Sequence, residues 1–263
     1  MSQRVAFLTS GGKGLGYAGV RALLEAGWDV FFTYGNSADE AAELVSRAHA
    51  LGRRAHGRSV DLLNQSEVVS AIEACQQEFG EIDALIHNFG PFVFERLPLA
   101  EYSDEQWRRM IDGNLSNFFW MYRAVVRSMR DRRFGRIVTV GSDGAAVAAG
   151  WNRRAAYAAA KSGLASLTRS IAREEREYGI TANMVCPGDI RGDLKMRMIR
   201  EADAPVSGEQ RAPVGEDVAR AVVFLCDEHS QQVNGTVLEV TGAQEIRARD
   251  SLSSRDARPK LDP

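Results

Sequence analysis

Short apolar runs rich in β-branched and aromatic residues alternate along the chain with longer stretches whose apolar positions recur every three or four residues. The first kind reads as buried strands, the second as helices packed by one face. Strands are predicted at Val5–Thr9, Val30–Tyr34, Arg54–Val60, Ala84–His87, Gly135–Val140, Thr181–Cys186 and Thr236–Val240. Helices are predicted between them over Gly14–Ala26, Ala38–Leu51, Gln65–Phe79, Ser103–Arg132, Tyr157–Tyr178 and Asp217–Cys226. Ser103 with Gln106 three residues later is a capping box, which fixes where the longest of these helices begins. Such alternation implies parallel strands joined by right-handed helical crossovers. The fold class is therefore α/β: one doubly wound, seven-stranded parallel sheet with helices on both faces. No linker or repeat divides the pattern. The domain is expected to span residues 1–246, and the polar stretch 247–263 reads as a mobile tail or oligomer arm.

Composition narrows the partners. The 263 residues are 44% hydrophobic and 26% charged with a net charge of −2. That is ordinary for a globular protein and leaves no basic footprint for nucleic acid. No apolar run approaches the roughly 20 residues of a membrane helix, so no membrane partner is expected. The first predicted strand begins almost at once, which leaves no room for a signal peptide. Cys75, Cys186 and Cys226 are widely spaced and odd in number, so they make neither a disulfide framework nor a metal knuckle. The four histidines are scattered, and no metal site is expected. A reducing cytoplasm fits this usage. The basic run Arg130–Arg133 reads as a solvated helix end.

The chemistry begins after the first strand. Thr9 leads into Ser10, Gly11, Gly12, Lys13, Gly14, Leu15 and Gly16. Glycines there let the backbone approach a pyrophosphate, and the helix that follows offers it free N–H groups. A literal G-x-G-x-x-G at Gly14, Gly16 and Gly19 begins too far past the strand to be the fingerprint. Further on, Tyr157 and Lys161 stand four apart on one predicted helix face. An ammonium beside a phenol favours its ionised form, which suits a tyrosine to proton transfer near neutral pH.

On these residues the chain resembles the short-chain dehydrogenase/reductase family, over nearly its whole length from Val5 to about Ala243. Thr9, Gly14 and Gly16 match the family loop, and Ser10 replaces its first glycine. The resemblance implies a Rossmann-type domain and a nicotinamide dinucleotide. NADP(H) is expected over NAD: no acid follows the second strand until Asp39, Lys13 stands where a cation meets a 2′-phosphate, and Tyr34, Asn36 and Ser37 lie close by. Asp61 matches the residue that contacts adenine, with Leu62 beside it. His87-Asn88-Phe89-Gly90 stands for the family's Asn-Asn-Ala-Gly: Asn88 and Gly90 are retained, whereas His87, read as a satisfied strand-end residue, and Phe89 are departures. Pro187, Gly188 and Ile190 match the segment that meets the carboxamide. Gly192 stands where a threonine is usual, and Asp189 is an acid where neutral residues are usual.

The same resemblance implies four catalytic residues. Tyr157 is the general acid in reduction, and Lys161 lowers its pKa and binds the nicotinamide ribose. Ser142 polarises the substrate oxygen, and Asn114 holds a water in a proton relay. Ser142 and Tyr157 are 15 residues apart, longer than is usual in the family, and Trp151 in that loop is a candidate substrate wall. The expected function is hydride transfer between NADP(H) and a carbonyl or secondary alcohol. Within the family the chain looks most like the 3-oxoacyl-acyl-carrier-protein reductases, which makes a small carbonyl compound or acyl thioester the expected substrate. The family's habit implies a homo-oligomer, a tetramer or dimer, built on Ser103–Arg132 and Tyr157–Tyr178; Phe118, Phe119, Trp120 and Leu164 permit that interface or belong to the core. The alternative is a non-catalytic dinucleotide-binding redox sensor, suggested by Ser10, Phe89 and Gly192. The segment Asp193–Arg211, with Met196 and Met198, is expected to act as a substrate lid.

Overall fold

The computed structural model of the protein describes residues 3–92, 96–203 and 211–243. Strands β1 (Val5–Leu8), β2 (Asp29–Tyr34), β3 (Ala55–Ser59), β4 (Ala84–His87), β5 (Gly135–Val140), β6 (Ile180–Pro187) and β7 (Val237–Val240) form one sheet in the order β3-β2-β1-β4-β5-β6-β7. Every neighbouring pair is parallel. The order reverses between β1 and β4, so a crevice opens beyond their carboxyl ends, where open α/β sheets take their ligands. The predicted tail 247–263 lies outside the described residues, as does part of the predicted lid.

Alternation along each strand divides the core into two layers. Val5 and Phe7 of β1 face one side, packing with Val68 and Ile72 of α3 (Gln65–Phe79), Phe118 and Met121 of α5 (Asn117–Arg132) and Leu164 of α6 (Ala155–Glu174). Ala6 and Leu8 face the other, with Leu23 of α1 (Gly14–Glu25), Leu44 of α2 (Ala38–Ala50) and Val218 of α7 (Gly215–Cys226). Each large side chain fully buried this way contributes roughly 1.5–3 kcal/mol. Phe118 and Leu164 thus belong to the core, whereas Phe119 is exposed. No helix among the described residues is long and apolar enough to cross a membrane.

Two expectations are corrected. The predicted helix Ser103–Arg132 is not continuous: α4 (Asp104–Ile111) passes through a π-helical turn, Asp112–Ser116, into α5. The buried Asn114 amide donates to Met110 O at 3.0 Å and to Pro91 O at 2.9 Å. A side chain that occupies the preceding turn's carbonyl loosens the ladder there. The basic run is not simply solvated either. Arg130 Nε reaches the fully buried Glu175 at 2.7 Å, and Arg132 binds Asp83 at 2.5 Å and Ile82 O at 2.6 Å. Tyr122 also donates to Glu175, at 2.5 Å. These pairs pin α5 to α6 and to the strand edge below the site.

The capping box at Ser103 is present, with Gln106 N to Ser103 Oγ at 3.1 Å and Ser103 N to Gln106 Oε1 at 3.0 Å. Ser103→Ala is expected to cost about 1 kcal/mol, read as a lowered urea midpoint. An unmoved midpoint would mean that α4 does not need its cap.

Candidate active site

The glycine loop is shaped by close approach. A Cβ on Gly11 would stand 2.7 Å from Phe32 Cβ, and one on Gly12 2.8 Å from Tyr34 Cβ; one on Gly16 would strike the Ser10 carbonyl. Ser10 has φ 54°, in the left-handed region that glycine enters freely. The serine is held there by its N–H to Thr33 Oγ1 at 3.1 Å and by Asn88 Nδ2, which donates to Thr9 O at 3.1 Å and Ser10 O at 3.3 Å. The buried Thr9 Oγ1 accepts from the amides of Asn88 and Phe89, both at 2.9 Å. Loop and β4 end are thereby one unit. Leu15, in the first turn of α1, packs against the core. The N-cap residue Lys13 makes no side-chain capping bond, and the first turn of α1 holds no acid. Its free N–H groups and positive dipole end suit an anion.

Beside the loop, Ser10, Gly12, Lys13, Tyr34, Gly35, Asn36, Ser37 and Glu40 line a cavity of about 290 Å³. Lys13, Tyr34, Asn36 and Ser37, the residues expected near a 2′-phosphate, all line it. Glu40, a carboxylate in the same lining, was not singled out from the sequence; its place in the first turn of α2 was the available signal. Asp61 is exposed, and its Oδ1 accepts from Leu63 N at 3.0 Å, while Leu62 is buried and its carbonyl accepts from Asn117 Nδ2 at 2.8 Å.

At the other end of the crevice the polar groups are deeply buried. Lys161 is 3% exposed and donates to Val140 O at 2.8 Å. A Cβ on Gly90 would stand 2.9 Å from Lys161 Nζ and collide with Asn114 Oδ1. That oxygen is buried and has no hydrogen-bond partner among the described residues, so an acceptor and an ammonium flank one small space.

His87 is only half satisfied. Asn117 spends its amide nitrogen on Leu62 O, so its Oδ1 accepts from His87 Nε2, at 2.5 Å. Nδ1 is then bare, buried and unpartnered among the described residues. Burial, and then the charge of Lys161, lower this imidazole to about 3.

Tyr157 corrects a second expectation about this centre. Part of its side chain reaches solvent, yet the phenol is densely surrounded, and burial pushes it above its ordinary value. The Cys186 thiol adds to the rise and Arg154 opposes it. Lys161 does not lower the phenol as expected: its Nζ lies 5.8 Å from the ring centroid, is committed to Val140 O, and is itself pushed down to about 8 by burial. Burial disfavours both charged forms.

Ser142 is half-buried after β5. A Cβ on the preceding Gly141 would stand 2.7 Å from Cys186 Sγ, so the connection that follows leaves the sheet beside the thiol that also acts on Tyr157. The long connection between Ser142 and Tyr157 folds into a 3₁₀ turn, Ala145–Val147, with left-handed residues at Gly144, Ala148 and Arg153. It delivers Trp151 to 6.1 Å from the Tyr157 ring, while Phe92 meets that ring edge-on at 4.9 Å. Arg154 and Phe92 were not singled out from the sequence, although Arg154 stands one helical turn before Tyr157.

Pro187 ends β6, Gly188 N donates to Val240 O at 2.9 Å, and Ile190 is buried beside them. Asp189 pairs with Arg191, Nε to Oδ2 at 2.8 Å. Gly192 has φ 53°, a left-handed conformation that disfavours the threonine usual in the resembled family. Met198 is 1% exposed and Met196 packs on the core, so both serve packing. Glu201 binds Arg21 of α1, with contacts at 2.6 and 3.2 Å, and ties this segment down over the helix.

A parallel sheet in this order, a glycine loop closed on the β4 end, and a buried lysine–asparagine pair beside a tyrosine define a dinucleotide-dependent class of α/β oxidoreductases. The chain belongs to the short chain dehydrogenase family, whose profile matches residues 4–203. It is 44% identical over 248 residues to the Bacillus subtilis protein YtkK, covering 92% of this chain and 97% of that one; the name YtkK carries gives only a provisional oxidoreductase class. It is 32% identical to the 3-oxoacyl-acyl-carrier-protein reductase FabG of Escherichia coli, covering 91% and 96% of the two chains. Among solved structures it is similar to a blue fluorescent protein from a metagenomic library, in complex with NADPH. The TM-score is 0.78 and the identity 34%, over 91% of this chain and 96% of that one.

Proposed function

We propose that this protein is an NADP(H)-dependent reductase of carbonyl compounds, with 3-oxoacyl thioesters as its substrate class. The observation that carries the reading is the arrangement around Tyr157: a crowded phenol, a buried Lys161 and an orphaned Asn114 acceptor at the mouth of a phosphate-suited glycine loop. The relatives support the substrate class, one being a 3-oxoacyl-acyl-carrier-protein reductase, and the NADPH complex of a similar protein supports the cofactor.

The residues fit the dinucleotide along its length. Gly11 to Gly16 and the α1 amides suit the pyrophosphate. Lys13, Tyr34, Asn36 and Ser37 suit a 2′-phosphate, and Asp61 and Leu62 flank the adenine end. Asn88, Gly90, Lys161, Pro187, Gly188 and Ile190 take the nicotinamide half, with Tyr157 above it. When bound, the cofactor supplies or removes the hydride. The chain's own residues handle the oxygen. Ser142 donates a hydrogen bond to it and stabilises the charge that develops there. Tyr157 gives its hydroxyl proton to that oxygen, leaving a phenolate. Lys161 and the water-suited Asn114 oxygen return a proton to the phenolate from solvent. Trp151 bounds the substrate side.

The test is NADPH oxidation with a panel of small ketones, diketones and acetoacetyl thioesters. Turnover on the thioesters supports the reading. Tight NADPH binding with no turnover on any member would favour a dinucleotide sensor. Lys13→Ala is expected to raise the dissociation constant of NADPH about 5- to 150-fold more than that of NADH, the range a charge-assisted contact of about 1–3 kcal/mol gives. Equal loss for both would remove the phosphate role of Lys13.

A further inference from the structure

We propose that Arg154 is a positioning residue of the active site: its guanidinium clamps the rings of Phe92 and Trp151 against Tyr157 and keeps a fixed positive charge one helical turn from the phenol. This rests on the reading of Tyr157 as the proton donor.

Arg154 is an odd residue for its place. It is the N-cap of α6, where it makes no side-chain capping bond, and it is only 8% exposed. A cation is disfavoured at the positive end of a helix dipole and disfavoured again by burial. Two aromatic rings lie close against this cation. The guanidinium carbon lies 4.1 Å from the Phe92 ring centroid and 5.7 Å from that of Trp151. Both fall within the roughly 6 Å at which a ring face attracts a cation. The two rings approach each other at 6.2 Å. Each also approaches Tyr157, Phe92 at 4.9 Å and 90°, Trp151 at 6.1 Å and 68°. Such edge-on contacts are the favoured aromatic geometry. Phe92, Trp151, Arg154 and Tyr157 thus form one cluster, in which two rings contact the phenol and the cation contacts both of those rings. Three of them, Trp151, Arg154 and Tyr157, come from the long connection after Ser142 and the helix it enters. The lengthened loop therefore has a specific product: it builds a wall and locks it with a cation.

The charge has a second consequence. Among the described residues, the groups facing the phenol are Arg154 at the N-cap of α6, Lys161 of α6, the Cys186 thiol from β6, and Tyr102 beside the uncharged Met110 of α4. Cys186 is held neutral by burial, pushed up to about 12. Lys161 is bound to Val140 O. Arg154 opposes the rise of the Tyr157 phenol, so its permanent charge favours the phenolate left when the proton is given up. A guanidinium suits both tasks, being flat enough to stack on two rings and always charged.

The test compares Arg154→Met, Arg154→Lys and Tyr157→Phe, using 3-hydroxybutyryl-CoA oxidation with NADP⁺ as the probe from pH 6 to 10. Arg154→Met is expected to move the pH at which oxidation turns on upward by about one unit, roughly a ten-fold slower rate at pH 8, and to raise KM. Arg154→Lys keeps the charge but stacks poorly, so the pH profile stays close to that of the parent while KM rises. A wild-type profile and KM in Arg154→Met would overturn the proposal, as would equal pH shifts in both variants. If Arg154→Met does not fold, Trp151→Leu serves: a raised KM with an unmoved pH profile supports the clamp, and an unchanged KM overturns it. Full turnover in Tyr157→Phe is a separate outcome, which would remove the underlying reading rather than the role of Arg154 alone.

Discussion

Replacing Tyr157 with phenylalanine is expected to lower turnover in carbonyl reduction by about 10²–10⁴, the usual worth of a positioned general acid, while NADPH binding persists. The substitution removes one oxygen and leaves the ring between Phe92 and Trp151, whose contacts at 4.9 and 6.1 Å are with the ring itself. The aromatic wall should survive, so a loss of rate reports the hydroxyl. Steady-state kinetics on the best thioester, with fluorescence titration of NADPH, separates the two effects. Undiminished turnover would show that another group donates the proton.

The second large effect concerns stability. His87 is fully buried, and its imidazole is held at about 3 in the fold, against about 6.5 in the unfolded chain. Between those values the unfolded state binds the extra proton, so stability rises with pH there and is lost as pH falls below about 6.5. The loss approaches its full size near pH 3 and is on the order of 5 kcal/mol, at about 1.4 kcal/mol per unit. Urea unfolding at steps from pH 7 to pH 4 should show a steep decline in the parent. In His87→Asn, whose amide does not titrate, the decline should be markedly shallower. Identical pH dependence in both would mean that His87 is not the buried group that resists protonation.

The strand ladder was legible because buried parallel strands leave near-continuous apolar runs, and β4 and β5 are observed with the predicted limits, Ala84–His87 and Gly135–Val140. The break at Asn114 was not legible. A polar residue in an apolar helix signals something, but only the meeting with Pro91 O explains a π-helical turn. Arg130 and Arg132 read as solvent-facing because their carboxylate partners, Glu175 and Asp83, are 45 and 49 residues away in sequence. The expected tuning of Tyr157 by Lys161 failed for a related reason: spacing places two residues on one helix face, but the balance of burial and charge depends on everything else packed there.

The sequence by itself determined the α/β class, the parallel order of elements, the glycine loop and the residues whose types suit dinucleotide chemistry. Each of these follows from local periodicity or from backbone freedom at single positions. Only the tertiary structure decided which groups are dry, and with that the direction in which the Tyr157 phenol, Lys161 and His87 shift. It also decided that the long loop returns Trp151 and Arg154 to the phenol, with Phe92 arriving from a separate segment. Burial and cross-chain approach are properties of the packed whole, because the free energy of a charge depends on everything within several ångströms of it.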